Sequence, residues 1–265
     1  MHEWEARELL CEVGRRCWER QFVAANEGNF SFRIGENEVL VTPTLMSKGF
    51  MKPDDLCKIN MEGRQTGGRL KPTSEALMHL EIYQRRPEMK AVVHVHPPHA
   101  TAFAVVGQPV PKCIVPEVEI FLHEIPIVSY ATPGTQEFAD AIRPYLADFT
   151  VLLLQNHGAV AIGKDILDAY FKMEVIDQYC RILILARQIG EWNPLTQEAM
   201  QALFRTKASL GLPDRRMTDP SLASCAIPSP APVPPTEAIR GSVEWDALIE
   251  KVTKQVLEAL KSKHG

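Results

Sequence analysis

Residues 91–100 read AVVHVHPPHA, and the fold turns on how that run is read. Ala91, Val92, Val93 and Val95 have the composition of a buried β-strand. Such a strand should exclude basic side chains, yet His94 and His96 interrupt it. Side chains two apart in a strand point to the same face. His94 and His96 therefore aim together, at the spacing that two ligands of one metal ion need. The alternative is a pair of neutral core histidines bonded to backbone. That is the ordinary reading of one such histidine, and a poorer one for two on a single face. His99 follows Pro97-Pro98 out of phase and reads as a loop residue. His157 is the natural third ligand, because it too ends an apolar strand (VLLLQNH, 151–157) and precedes Gly158. Three histidines with an open position describe a catalytic rather than a structural metal site.

Working outward, the segment SEALMHLEIYQRR (74–86) predicts a helix capped by Thr73 and closed before Pro87. Trp4, Leu9, Leu10, Val13 and Cys17 predict an amphipathic helix near the N-terminus. AANEGNFSFRI (24–34) brings turn signals and then a Phe30/Phe32/Ile34 alternation, a half-buried strand. EVLVTPT (38–44) and DLCKINMEG (55–63) read as two further strands, and EIPIVSYA (124–131) as another. EFADAIRPYL (137–146) is a short helix, and TVLLLQNHGAVAI (150–162) a strand that turns at His157-Gly158 and continues. A long helix from Ile166 follows, with Leu167, Phe171, Val175 and Ile182 on or near one face. Several strands arrive consecutively, without a regular β-α-β period. The expected class is α/β, a sandwich around a mixed or largely antiparallel sheet.

Two kinds of polar turn accompany the histidines. KPTSE (71–75) sets Thr73, Ser74 and Glu75 at a helix start, where free N–H groups and hydroxyls attract anions. NEGN (26–29) and TPT (42–44) are small turns of the type that cradles phosphate. Each is a weak signal alone, since Ser or Thr at a helix start is commonly a cap and Glu75 could be a dipole-favoured surface carboxylate.

The chain has 265 residues and a formal net charge of −4, which gives no nucleic-acid footprint. No apolar stretch approaches the ~18 residues of a membrane span. MHEWEARELL (1–10) is acidic where a signal peptide would be basic, so a cytoplasmic protein is expected. Six cysteines (Cys11, Cys17, Cys57, Cys113, Cys180, Cys225) are scattered without CxxC spacing, and all are expected to be reduced thiols. The composition changes after Pro213. Residues 214–241, with PSPAPVPP (228–235) at their centre, predict an extended linker between a domain at 1–213 and a terminal segment. In that segment, 242–265, Trp245, Leu248, Ile249, Val252, Val256, Ala259 and Leu260 recur at helical intervals. A lone amphipathic helix this short needs a partner for its apolar stripe.

Taken together, AANEGNFSFR (24–33), VTPTLMSKGF (41–50), KPTSEALMHLEIY (71–83), AVVHVHPPHATA (91–102), YATPGT (130–135) and LLLQNHGAV (152–160) resemble the class II aldolase/adducin family, and within it the L-fuculose-phosphate aldolase branch. The resemblance runs in order from about residue 5 to 212. It implies an α/β/α sandwich with a central, largely antiparallel sheet, a homotetramer, and an active site between neighbouring subunits. It also implies that His94, His96 and His157 hold Zn2+ and that Glu75 is the general acid/base. Asn29, Thr44, Thr73 and Ser74 would bind the substrate phosphate, with Asn26 beside them. The implied activity is reversible cleavage of a deoxyketose 1-phosphate, of the L-fuculose or L-rhamnulose type, to dihydroxyacetone phosphate and L-lactaldehyde. A pentulose-phosphate 4-epimerase, another lyase of this fold and a non-catalytic adducin-like module are the rival readings. The related epimerases usually carry Asp where this chain has Glu75.

The sequence also departs from that branch. Its two aldehyde-side tyrosines are replaced by Val115 and Leu210, and the glycine after the TPT turn by Leu45. Glu117, Glu119, His123 and Tyr130 are the candidate substitutes on the aldehyde side. The proline-rich linker and terminal helix resemble the encapsulation peptide of a bacterial microcompartment cargo enzyme. They imply a shell-protein partner for 242–265 and a location inside such a compartment.

Overall fold

The computed structural model describes residues 2–212, 214–219, 222 and 225. Helix α1 (Glu3–Glu19) precedes four consecutive strands, β1 (Asn29–Gly35), β2 (Glu38–Val41), β3 (Cys57–Ile59) and β4 (Gln65–Gly67). Then come α2 (Ala76–Arg85), β5 (Ala91–Val95), α3 (Pro98–Val106), α4 (Pro116–Phe121) and β6 (Ile127–Val128). The order ends with α5 (Gln136–Ile142), β7 (Val151–Leu154), β8 (Gly158–Gly163), α6 (Ile166–Ile189) and α7 (Gln197–Ser209). The strands form one sheet in the order β4-β3-β2-β1-β5-β8-β7-β6. Every neighbouring pair is antiparallel except the edge pair β6–β7.

Strand parity sorts the side chains into two cores. Ala91, Val93 and Val95 of β5 pack with Phe30, Phe32, Leu153 and Ala161 against Leu10, Val13, Phe103, Met173 and Leu183 of α1, α3 and α6. Val92 faces the other way, with Val41, Ile59, Leu152 and Val160, against Met78 and Ile82 of α2 and Phe138 and Ile142 of α5. Helices thus cover both faces of the sheet, giving the largely antiparallel α/β sandwich that the consecutive strands predict and the α/β/α layering that the resemblance implies. His94 has the parity of Val92, so it stands on the α2/α5 face. Among the described residues, no helix is long and apolar enough to cross a membrane.

Several local expectations are corrected. Residues 98–106 are helical, not loop: Pro98 occupies the first turn and Gly107, at φ 68°, ends the helix. The buried Asp177 carboxylate on α6 accepts from the backbone N–H groups of His99 (2.8 Å) and Ala100 (3.1 Å), satisfying the open end of α3. The N-cap of α2 is Glu75, while Thr73 accepts the Glu75 N–H through its hydroxyl at 3.2 Å. On α6, Leu167, Phe171, Val175 and Ile182 share a face that is half-buried to exposed, and the fully buried stripe runs beside it through Ile166, Ala169, Tyr170, Met173, Ile176, Cys180 and Leu183. The helix carries apolar residues on more than one face, so periodicity alone did not fix its phase.

The domain does not stop at residue 213. Asp214 and Arg216 are buried, and Arg216 pairs with Glu119 on α4 at 2.6 Å. The Asp214 carboxylate pairs with Lys207 on α7 at 2.7 Å. The expectation of six reduced cysteines is also corrected, because Cys113 and Cys225 form a disulfide across 112 residues of chain. Cys11, Cys17, Cys57 and Cys180 are free thiols. The linker beyond 225 and the terminal helix at 242–265 lie outside the described residues.

Candidate metal centre and its surroundings

Four separate segments converge at one end of β5. The strand delivers His94 and, one step beyond its end, His96. The β7–β8 turn delivers His157, immediately before Gly158. Glu75 stands at the N-cap of α2. On the other side of β5, strand β1 pairs Asn29 directly with His94. Two glycines permit this closeness. A Cβ on Gly158 would lie 2.5 Å from His96 Cδ2 and 2.6 Å from the Val95 carbonyl oxygen. Gly28, at φ 70°, would put a Cβ 2.9 Å from the His94 carbonyl oxygen.

The three imidazoles each turn a ligand atom inward, and these atoms lie within 4.8 Å of one another. His94 Nδ1–H donates to the Ala159 carbonyl at 2.9 Å, which fixes the tautomer and leaves Nε2 as a bare lone pair. That Nε2 lies 3.3 Å from His157 Nε2 and 3.3 Å from Glu75 Oε2. Burial pushes His94 down to about 3, reinforced by the nearby His96 and opposed by the Ala159 bond. Burial and the His94 neighbour likewise push His157 down to about 3, and burial lowers His96. All three rings are therefore neutral near pH 7, the protonation state that a metal ligand needs. Burial raises the Glu75 carboxyl above its ordinary range. His157, His96, an Asn29 hydrogen bond and Lys48 pull it partly back.

The site carries a polar deficit. Glu75 Oε2, His96 Nε2 and His157 Nδ1 are buried without a hydrogen-bond partner. An unpaired buried polar atom costs about 1–3 kcal/mol, so three in one place is a marked concentration. A divalent cation held by the three imidazoles would relieve Glu75 Oε2 and His96 Nε2, while His157, which faces His94 through Nε2, would bind through that nitrogen and not through Nδ1. Nitrogen-rich donor sets of this kind suit zinc-like ions. The residues present therefore fit a bound metal. His99 stands apart: its Nδ1 lies 2.9 Å from Asp177 Oδ2.

The anion-binding candidates surround this end of the sheet. Thr73 N–H donates to the Thr42 carbonyl at 3.0 Å, and Thr44 N–H to the Lys71 carbonyl at 3.0 Å. These bonds stitch the TPT and KPTSE turns together. Asn29 is buried, Thr44 is half-buried, and Ser74 and Asn26 are exposed. Leu45, where the resemblance has glycine, adopts φ 57°.

Two of the four aldehyde-side candidates are committed elsewhere. Glu119 is buried and ion-paired with Arg216, and it also accepts from the Cys113 N–H. His123 contacts Lys207 and lies 3.3 Å from Asp214. Both belong to the buried ionic network that holds residues 214–216. Glu117 and Tyr130 are exposed, with Tyr130 N–H donating to Gln155 Oε1 at 3.2 Å.

Sequence reasoning missed two features. Lys48 is buried, and its ammonium group donates to the carbonyls of Asn26 (3.1 Å) and Met46 (2.5 Å), joining the NEGN turn to the segment after TPT. Burial pushes it down to about 8, with Glu75 opposing. A single lysine in MSKGF carries no periodic signal. The second feature, His79 with Ser31 and Tyr83, had one: Glu75, His79 and Tyr83 recur every four residues along one face of α2.

Comparisons with known proteins agree with this geometry. A profile described as Class II Aldolase and Adducin N-terminal domain matches residues 8–184. An L-fuculose phosphate aldolase of Methanococcus maripaludis is 36% identical over 174 residues, spanning 66% of this chain and 93% of that protein. A 3-oxo-tetronate 4-phosphate decarboxylase of Haemophilus influenzae is 32% identical over 186 residues, spanning 69% and 88%. A solved L-fuculose 1-phosphate aldolase superposes with a TM-score of 0.70 at 27% identity, covering 76% of this chain and 95% of that one. The fold, the inward-facing histidines and these relatives agree: the chain belongs to the class II aldolase and adducin family, as an enzyme of the metal-dependent aldolase type.

Proposed function

We propose that the protein reversibly cleaves a deoxyketose 1-phosphate, of the L-fuculose or L-rhamnulose type, to dihydroxyacetone phosphate and L-lactaldehyde. The observation that carries this reading is the unpartnered Glu75 Oε2, 3.3 Å from His94 Nε2 and beside the stitched anion turns. His94, His96 and His157 would hold Zn2+, which when bound supplies Lewis-acid stabilisation of the negative charge left on the ketone-derived fragment. Glu75 exchanges the proton at the carbon that becomes nucleophilic. Its burial favours the protonated form more than water would, which suits a group that must return a proton as well as take one. Asn29, Thr44, Thr73 and Ser74, with Asn26 at the rim, hold the phosphate and so anchor the reacting end by contacts remote from it. Glu117 and Tyr130 remain the candidates for the aldehyde side. The test is release of dihydroxyacetone phosphate from L-fuculose 1-phosphate and L-rhamnulose 1-phosphate by the zinc-loaded protein. Epimerised pentulose phosphate without dihydroxyacetone phosphate would favour the epimerase reading instead.

The Haemophilus influenzae relative favours a second reading, decarboxylation of a 3-oxo acid phosphate. Loss of CO2 beside a carbonyl leaves the same kind of stabilised carbanion as an aldol cleavage. The site residues would keep their roles, and CO2 release from a 3-oxo-tetronate 4-phosphate separates the two.

The assembly belongs to the same proposal. A homotetramer is supported by the apolar side chains that α6 leaves in solvent, Phe171, Ile182, Leu185 and Ile189, and light scattering of the purified protein tests it. Residues 242–265 are proposed as an encapsulation peptide that binds a microcompartment shell protein. Deletion of residues 226–265 should leave metal content and turnover intact while abolishing co-purification with the shell. The cut belongs after Cys225, because Asp214, Arg216 and Cys225 are tied to the domain.

A further inference from the structure

The polar face of α2 continues past the site. His79 and Tyr83 follow Glu75 at four-residue intervals and are buried, as is Ser31 on β1. The proposed reaction uses none of the three, yet they form one connected chain. Ser31 Oγ lies 2.6 Å from Tyr83 Oη and 2.6 Å from His79 Nδ1. His79 Nε2 lies 2.5 Å from Asn29 Oδ1.

Burial makes the direction of each bond deducible. An Asn carbonyl oxygen can only accept, so His79 Nε2 carries the hydrogen and donates to Asn29 Oδ1. Burial pushes His79 down to about 3, so the ring is neutral and Nδ1 is an acceptor. Ser31 must then donate to Nδ1, and Tyr83 must donate to Ser31. Every donor points from Tyr83 toward Asn29. With its oxygen held by His79, Asn29 has only its NH2 to turn to the other side. On that side stands Glu75, whose carboxyl the Asn29 side chain helps to hold down against the effect of burial.

We propose that His79, aligned by Ser31 and Tyr83, is a positioning residue that locks the Asn29 amide with its NH2 toward Glu75 and the anion-binding turns. The reversed amide would set a carbonyl oxygen against a carboxylate and an incoming phosphate dianion, which repels both. The lock lets one short side chain on a β-strand serve as a fixed donor to anions at no cost in reorganisation. Its bearing on catalysis rests on the proposed sugar-phosphate reading, whereas the hydrogen-bond directions do not.

Two measurements on the full-length, zinc-loaded protein test the lock. Long-range 1H–15N correlation of the histidine rings should find His79 as the Nε2–H tautomer with a bare Nδ1, unchanged between about pH 5.5 and 8.5. Inorganic phosphate binding should weaken about tenfold in His79→Leu, the loss of one properly aimed anion contact, and recover to within about threefold in His79→Gln, whose amide can donate to Asn29 Oδ1. A merely structural role would lower stability in both variants without separating their phosphate affinities. An Nδ1–H tautomer or an imidazolium at His79 overturns the lock without any variant having to fold. Equal phosphate affinity in His79→Leu and wild type overturns it as well. Neither readout needs turnover. A protein with the expected tautomer that binds phosphate but does not cleave the ketose phosphates would sink the aldolase reading and leave the lock standing.

Discussion

Glu75 concentrates the chemistry at the smallest scale. Its carboxylate ends at the α2 N-terminus, is largely buried, and is pushed toward protonation by that burial, while His157, His96 and Asn29 pull the other way. A group balanced in this manner can carry a proton in both directions. Glu75→Gln keeps the shape and the polar contacts but cannot titrate. The expected outcome is a fall in kcat of about 10²–10⁴-fold with little change in KM, read from steady-state release of dihydroxyacetone phosphate. Unchanged turnover would remove Glu75 from the proton-transfer role. Parity made His94 and His96 legible in the sequence, and the end of an apolar run made His157 so. The environment of Glu75 was not legible, because the groups that act on it, Asn29, Lys48 and His157 among them, come from separate parts of the chain. Glu119 and His123 read as aldehyde-side candidates because charged residues near the missing tyrosine position draw attention. Their actual partners, Arg216 and Lys207, come from beyond residue 200.

The elements position these residues through close contacts between backbones. The β7–β8 turn brings Gly158 against His96, where a side chain has no room. Gly158→Ala should force His96 or the turn to shift, which predicts a loss of at least about tenfold in metal affinity, since misplacing one of three ligands removes a large part of the chelate. A competition assay with a chromophoric chelator measures it, and an unchanged constant would show that His96 is not held as described. Strands with clear alternation, such as β1 and β5, could be read from sequence. The helices α3 and α7 could not. The first begins two residues after a strand, at the second of two prolines, and its apolar residues (Ala100, Ala102, Phe103, Ala104, Val105 and Val106) are too nearly continuous to set a period. The second buries little of itself, with Met200 and Lys207 its buried residues. The buried face of α6 was hidden for the same reason as that of α3, since apolar residues lie on more than one of its faces.

For the whole domain, the unexpected feature is how Asp214, Arg216 and Cys225 are fastened. Lys207, Asp214, Arg216 and Glu119 form a buried ionic cluster, and Cys113–Cys225 adds a covalent tie in the same part of the chain. Burial alone would raise the Asp214 carboxyl, but hydrogen bonds from His123, Arg216 and Lys207 more than offset it and hold it well below its usual range. A carboxylate depressed on folding contributes stability that is complete above its unfolded pKa, near 3.8, and is lost as pH falls through the lower folded value. Asp214→Asn leaves Lys207 and Arg216 short of a counter-charge, so the variant should be destabilised by about 3–5 kcal/mol at neutral pH. Its deficit relative to wild type should shrink as pH falls from about 4 toward 2. Denaturant melts across that range measure the difference, and a constant gap would contradict the assignment. None of this network could be read from sequence. Its members are separated by up to 97 residues, and the composition change after Pro213 placed the boundary a few residues early.

We place three histidines, two from the end of β5 and one from the turn into its neighbour β8, in one metal centre beside Glu75. Titration of Zn2+ into the chelator-stripped protein, compared with His94→Ala, tests it most directly. The account predicts one tightly bound ion per wild-type chain and loss of tight binding in the variant, with both proteins folded. A wild-type protein that takes up no stoichiometric ion, or a His94→Ala variant that binds as tightly as wild type, would contradict it.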